Sequence, residues 1–567
     1  MSLNRQVDVL VPIEDSTIID DNHHVVTDAE QEPLLPRQST VVTRTSSQLL
    51  LLMGPALLAG LFVKAFDIAF LATSYSRLAS DLQHFKDASW VMLTASICSA
   101  IFVPLYSYLL GSFGIRRMMF VAYGAFALGL TFCASSTSFW QFLGSRFVVG
   151  FGSSGITLLS MIVINEIVGM KQLAIWESFV TCVEMGTSMA AGPLGASMYR
   201  SFGWHSVFCL ELSFAIIALV VLHFSFAKLS SRPEHSHSLL LKEGDSKLPP
   251  VDLGGWVLLT LAVIVPLIAL TLGDNLLDWV HPLELSLLIC GPILIALFVL
   301  FEAKTSTVPI INMTPIFKVD YLVVLFQVFG VISILNSVVF IIPPYIQARA
   351  FDKPSFEDWA LTCVFLGFPP GAILGGYLIK SGTFPVRRMM LANAVFLLWF
   401  CVLFATRVIK PESGRYAPLL AGFGVYTGMW QSCLLYATLS STQKRWWPQT
   451  LALYYLIETF GADLGMALMA TITRSVAKAG IRASLGNSAG TEKIIEDAMR
   501  DLQTVGLLNP ETRVAVLAAF EHAMHSSFVL PCAMAGMVII LAAAMNLWPS
   551  KIEPEELASP NHHAEDL

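Results

Sequence analysis

About fourteen runs of nearly unbroken apolar residues divide the sequence between Leu49 and Trp548, each near the ~20-residue length that carries a helix across ~30 Å of hydrocarbon. No soluble fold hides so many runs of that length. Of the 567 residues, 55% are hydrophobic and 13% charged, where a soluble domain carries about a quarter charged residues. Lipid is therefore the solvent for most of the chain, and the sequence predicts an all-α membrane protein. The expected spans lie at approximately 49–73, 89–110, 118–136, 140–164, 173–198, 206–228, 254–273, 283–303, 321–346, 358–379, 389–409, 417–440, 449–472 and 526–548. An even number of crossings puts both termini on one side.

Basic residues in the short connections identify that side. Arg116, Arg117, Lys171, Lys304, Lys318, Lys380, Arg387, Arg388, Lys444 and Arg445 all fall on the side of the termini, which marks it as cytosolic. The sequon at Asn312 then faces the cytosol and should stay unmodified. Residues 1–46 are expected as a disordered cytosolic tail, 229–252 as a cytosolic linker and 549–567 as a second tail. The polar, acidic stretch ahead of the first span lacks the form of a cleavable signal peptide, so that span should be retained. A connection at 475–524 is expected on the non-cytosolic side. Within it Ile494, Ile495, Ala498, Met499, Leu502 and Val505 recur at helical spacing, and Asn509 followed by Pro510 starts another helix. Two amphipathic helices outside the membrane are expected there, as a cover on the span ends or as a docking or gating element.

The nine cysteines all fall inside apolar runs, with no CxxC and no Cys/His cluster, so they read as small core residues and imply no metal. No GxxxxGK[ST] loop and no nucleophile, base and orienter set is visible, so neither a nucleotide cofactor nor an enzyme is expected. Net charge is −7, with much of the acidity in the polar ends, and it points to no nucleic-acid partner. A weak internal repeat joins the halves: Ser107 to Arg117 and Gly376 to Arg388 both end a span with small residues and open the next with paired arginines.

These features carry a family resemblance. Arg146-Phe-Val-Val-Gly150-Phe-Gly152-Ser-Ser-Gly155 resembles the Arg-then-glycines signature of the major facilitator superfamily. Gly192-Pro193-Leu194-Gly195-Ala196 resembles its antiporter motif. Asp67 occupies the acidic position of the first-span motif, and Ala72 to Asp81 followed by Trp90 is similar to the fungal vacuolar basic amino acid transporters, within the fourteen-span branch of drug:proton antiporters. Two departures accompany the match. In the first cytosolic loop, Ser107, Gly111 and Ile115 replace the family's leading glycine, an acidic residue and a basic one, leaving Gly114, Arg116 and Arg117. Glu458 stands where a basic residue is expected. The resemblance implies two six-helix bundles, at 47–228 and 305–548, plus two additional spans at 253–304. Its implied partners are a small-molecule substrate, protons and the lipid bilayer.

An ionisable side chain at bilayer depth is costly unless paired or wetted. Such positions are Lys64, Asp67, Arg146, Glu184, Glu211, Glu458 and Asp463, and acids outnumber bases, which suits protons or a cationic cargo. Asp67 lies three residues after Lys64, so it is either a functional carboxylate or half of an internal ion pair. Arg146 either holds a carboxylate whose proton it controls or braces two helices. Glu177, Thr181, Glu184 and Ser188 form one polar stripe. In it Glu184 reads as a cargo or proton carboxylate against an interhelical hydrogen bond, and Glu177 as a solvated residue near the cytosolic end. Glu458 and Asp463, five apart, point some 140° from each other and cannot share a site without a kink. Gly192 and Pro193 read as a hinge or as close packing, Trp204 and Trp279 as interface anchors. In the tail, Glu30 with Leu34 and Leu35 resembles an acidic dileucine signal for a sorting adaptor.

The reading is a proton-coupled secondary transporter moving cationic amino acids into a vacuole. The alternatives are a cell-surface pump for drugs, toxins or siderophores and a transport-inactive sensor of the same fold.

Overall fold

The structure, a computed structural model, describes residues 38–84, 88–168, 170–230, 253–272, 281–304, 319–349, 357–406, 408, 414–486, 488–500, 505–506 and 508–547. They form α1 (Gln38–Asp81), α2 (Ala88–Ser135), α3 (Phe139–Ile167), α4 (Met170–Phe202), α5 (Trp204–Ser230), α6 (Leu253–Leu272), α7 (Pro282–Lys304), α8 (Val319–Arg349), α9 (Glu357–Ser381) and α10 (Val386–Ala405). They continue with α11 (Ala417–Ser440), α12 (Trp447–Leu485), α13 (Ala489–Arg500), α14 (Pro510–Ser527) and α15 (Val529–Leu547). Among the described residues, ten helical stretches are long and apolar enough to cross a membrane. One of them, Thr94–Ser135, is 42 residues long and holds two of the expected spans. The remaining expected spans fall on α4, α6 and α11.

Expected and observed boundaries differ where helical periodicity outlasts hydrophobicity. Residues 38–46, assigned to the tail, are the first turns of α1. The second and third expected spans are one helix broken at Gly114, whose φ of 75° only glycine adopts without strain. α12 runs to Leu485, past its expected end, because Thr473, Ala477 and Ile481 keep a buried four-residue spacing after the apolar run has stopped. It ends at Gly486, φ 78°, whose N–H donates to Arg482 O at 2.9 Å. α13 is the first expected amphipathic helix, with Ile495 and Ala498 buried. Arg482 joins it to α12 through bonds of 2.8 and 3.1 Å to Glu492. That exposed contact lowers the carboxyl pKa of Glu492. Leu502, the linker from residue 231, Asn312 and the sorting residues Glu30, Leu34 and Leu35 lie outside the described residues.

α3 packs against both segments of α2, α9 against α11, α8 against α12, and α10 against α15. Close approach at α9 and α11 rests on small residues: a Cβ at Gly367 or Gly371 would strike the α11 backbone, and one at Gly424 or Gly428 that of α9. α6 and α7 pair with each other and lean on α2 and α12 through a separate apolar cluster that includes Ile101, Val263, Phe298 and Leu456. Large apolar side chains such as Trp140, Phe224, Ile289 and Ile540 remain exposed, which in a membrane faces them to lipid. The repeat has a structural counterpart: Gly114 and Gly382 both have positive φ, each just ahead of its arginine pair. Four cysteines (Cys98, Cys133, Cys401 and Cys433) are core residues as expected, whereas Cys209 and Cys290 are exposed on apolar helices.

Candidate functional site

Two clusters of ionisable side chains lie inside the helices. In the first, Arg146 of α3 donates to both carboxylate oxygens of Asp67 on α1, Nη1 to Oδ1 at 2.7 Å and Nη2 to Oδ2 at 2.9 Å. The side chains are 2% and 3% exposed, so this is a fork-to-fork pair out of reach of water. The glycines after Arg146 bring the surrounding backbones together: a Cβ at Gly150 would meet Ala95 and Cys98, one at Gly152 the backbone of Phe126, and one at Gly155 Tyr106 and Ala122. α3 is thereby pressed against both segments of α2, which fixes the guanidinium in place.

The second cluster lies where helices of the two halves meet. Lys64 of α1 approaches Glu184 of α4 at 3.4 Å, with 20% and 25% of the side chains exposed, so both remain accessible. Gln431 of α11 donates to Glu458 of α12 at 3.1 Å. Glu177 is buried on α4 with Oε2 unbonded among the described residues, and Glu184, Glu458 and Lys64 are its charged neighbours. Tyr454 adds a buried hydroxyl without a hydrogen-bond partner among the described residues, and its charged neighbours are Glu458 and Glu177. Three carboxyl groups thus surround one ammonium. The arrangement favours a ligand that brings positive charge, because carboxylates lacking a counter-charge are costly at this depth.

The halves also touch away from this cluster. Ser178 Oγ on α4 donates to Ala372 O on α9 at 2.6 Å, and Gly376 of α9 lies so close to Ala174 and Ser178 that a Cβ there would clash. Lys444 and Glu166 form a cross-half ion pair at 3.8 Å. These contacts lie where α3 and α9 end and α4 begins. Nearer the middle, Ser96 of α2 donates to the buried Asp463 of α12 at 2.7 Å.

Several expectations change. Lys64 and Asp67 do not pair with each other: each reaches a different helix, because longer-range partners satisfy both charges better than a neighbour on the same turn. Glu177 is not solvated. α9 packs along α4 at this level and covers that face. Trp204 is not an interface anchor but a buried ring 5.6 Å from Phe142. Glu458 and Asp463 diverge as their spacing requires, toward α11 and α2. Gly192 abuts Thr73, a Cβ at Gly195 would collide with the Phe70 ring, and Pro193 lies within α4. Arg116 reaches Ser230 at 3.4 Å, and Arg117 is exposed. Gln431 and Tyr454 carry no sequence signal that separates them from core residues. Glu177 lay on the polar stripe and was set aside only for its nearness to a helix end.

A family model described as Major Facilitator Superfamily matches residues 57–466. The vacuolar membrane amino acid uptake transporter fnx2 of Schizosaccharomyces pombe is 25% identical over 498 residues, 87% of this chain and 82% of that protein. The multidrug resistance protein fnx1 of the same yeast is 23% identical, over 84% of this chain and 88% of its own length. The vacuolar basic amino acid transporter 2 of Saccharomyces cerevisiae is 23% identical, over 80% and 96%. Among solved structures, the proton:xylose symporter XylE superimposes with a TM-score of 0.52 at 13% identity, covering 88% of this chain and 96% of that one.

Proposed function

We propose, for a chain that belongs to the Major Facilitator Superfamily, a secondary transporter that carries a cationic amino acid between its two halves in exchange for protons. The observation behind this reading is the excess of carboxyl groups in the central cluster: Glu177, Glu184 and Glu458 around Lys64. A basic amino acid brings two positive groups and one carboxylate, the complement of that set. Its cations would meet Glu184, displacing Lys64 from it, and the neighbouring Glu177 and Glu458. The Arg146–Asp67 pair is assigned to proton coupling. Fourteen crossings with both termini in the cytosol, bundles at 47–228 and 305–548 and extra spans at 253–304 complete the proposal. On that topology the Ser178–Ala372 and Lys444–Glu166 contacts close the cytosolic end.

The vacuolar membrane is the proposed location, supported by the names of two relatives and by the dileucine at Leu34 and Leu35, which a sorting adaptor would read. Uptake by the purified protein in proteoliposomes tests the cargo. Radiolabelled arginine and lysine should enter under an imposed proton gradient and stop when it is dissipated, while leucine should not compete. A second reading, an efflux pump for hydrophobic compounds, draws on the similarity to a multidrug resistance protein. Transport of a lipophilic cation with no arginine uptake would replace the first reading with the second.

A further inference from the structure

Glu211 of α5 is fully buried, and neither of its carboxyl oxygens accepts a hydrogen bond from any donor among the described residues. It lies within hydrogen-bonding range of Asp67, with Arg146 as the nearby cation. Contact between two carboxyl groups becomes a bond only when one of them carries a proton. Asp67 already receives two N–H donors from Arg146, but each of its oxygens keeps a second lone pair. Two carboxylates against one guanidinium would leave a net negative charge sealed from water, whereas one added proton makes the cluster neutral. Among the described residues the other titratable groups facing it are two thiols of α2: Cys133, whose Sγ lies 3.0 Å from Ser145 Oγ, and Cys98, which faces Arg146.

The surroundings also have a directional feature. Phe70 follows Asp67 by three residues, Phe142 precedes Arg146 by four, and Phe208 precedes Glu211 by three. All three aromatics lie toward the same end of their helices, because α1 runs opposite to α3 and α5 in the expected topology. Their rings touch: Phe70 and Phe208 at 5.7 Å, Phe142 and Phe208 at 5.6 Å, with Trp204 5.6 Å from Phe142 and 6.0 Å from Phe208. Arg146 and Glu211 each lie seven residues inside the first residue of their helix, about 10 Å along the axis. The charged cluster is thus covered by an apolar ring layer on the non-cytosolic side.

We propose that Glu211 is a proton-binding residue of this protein, sharing one proton with Asp67 beneath a closed layer formed by Phe70, Phe142, Trp204 and Phe208. The proton sits on Glu211 and is donated to Asp67, which stays on Arg146. Movement of α1 that separates Asp67 from Glu211 would end the sharing, and opening of the ring layer would connect the proton site to the non-cytosolic side. Proton occupancy stands on this cluster alone. Its use in transport rests on the function proposed above.

Infrared difference spectroscopy on the purified full chain in lipid at neutral pH reads the proton directly, without any cargo. Subtracting Glu211→Gln from the unmodified protein should show the loss of a protonated-carboxyl C=O band; loss of ionised-carboxylate bands instead would overturn the proposal. In Asp67→Asn, Arg146 is free to pair with Glu211, so the same protonated band should vanish; its persistence would refute the sharing. This second variant carries the test if Glu211→Gln does not fold. In heavy water the band should shift slowly in the unmodified protein and rapidly in Phe208→Ala, and an immediate shift in both would remove the ring layer as a barrier. In proteoliposomes with radiolabelled arginine, Glu211→Gln should lose its response to a pH gradient but keep arginine exchange. Unchanged proton-driven uptake would separate Glu211 from coupling, while failure of the unmodified protein to move arginine would count against the cargo and leave the infrared result standing.

Discussion

Replacing Arg146 with Met removes the one cation that the described residues place in a cluster whose paired side chains are 2% and 3% exposed, while keeping most of the side-chain volume. Asp67 must then enter the folded protein in its neutral form, because no cation remains beside it to balance its charge. With an unfolded-state pKa of ~3.9, protonating that carboxyl at pH 7 costs about 4 kcal/mol. This agrees with the ~3–5 kcal/mol measured when one partner of a buried pair is removed. The pH dependence has a definite sign. Between pH 7 and 5 the variant takes up one more proton on folding than the unmodified protein. The deficit should therefore shrink by ~1.4 kcal/mol for each unit the pH falls. Adding Asp67→Leu should restore most of the loss at pH 7 and abolish its pH dependence, since two apolar residues replace two charges. Unfolding in mixed detergent micelles at several pH values measures all three proteins. A pH-independent deficit in Arg146→Met, or a double variant no more stable than the single one, would refute the desolvated pair as the source of the energy.

Glu177→Gln should weaken arginine uptake at least as much as Glu184→Gln, read as a raised KM in proteoliposomes, because Glu177 is the buried member of the central cluster; unchanged uptake would return it to a packing role. Gly195→Ala should force the Phe70 ring aside, at an overpacking cost of ~1–3 kcal/mol. It should also raise the passive proton leak of vesicles, measured with an internal pH dye, and a normal leak would detach Gly195 from the ring layer. Changing Leu34 and Leu35 to alanine should move a fluorescent fusion from the vacuolar membrane to the cell surface; an unmodified fusion already at the surface would remove the sorting role.

The helical frame was legible because a membrane imposes length as well as hydrophobicity, and every expected span falls on a helix. Its edges were not. α12 continues on a pattern of buried Thr473, Ala477 and Ile481 flanked by charge, which a hydropathy reading ends too early. Arg146 and Asp67 were each picked out by type and depth, yet their pairing across 79 positions had no local signal. Sequence proximity favoured Lys64 as the partner of Asp67, and the fold gives Lys64 to Glu184 instead. The α9–α11 contact rests on Gly367, Gly371, Gly424 and Gly428 at four-residue spacing, a small-residue pattern that marks close helices but that was not among the expectations. Glu177 was misjudged because nearness to a helix end predicts exposure only when no neighbouring helix covers that turn.

Lys64 and Asp67 assign α1 to both charged clusters, one turn apart. On the proposed function this supplies a coupling route that needs no long chain of contacts. A cationic cargo competes with Lys64 for Glu184, and the displaced ammonium then lies about 6 Å from the Asp67 carboxylate, the ordinary separation of side chains three residues apart. At an effective dielectric of ~20 such a pair interacts by roughly 3 kcal/mol, enough to tilt a protonation equilibrium about a hundredfold toward the charged form. Cargo binding would thereby drive the shared proton off the Asp67–Glu211 pair, and an arriving proton would favour return of Lys64 to Glu184. Lys64→Met keeps the helix and the packing but removes the messenger. It should still exchange arginine for arginine across the membrane, while arginine binding no longer releases a proton in an unbuffered detergent solution containing a pH dye. Normal proton release from Lys64→Met would place the link between the clusters elsewhere, in the rocking of the halves as a whole.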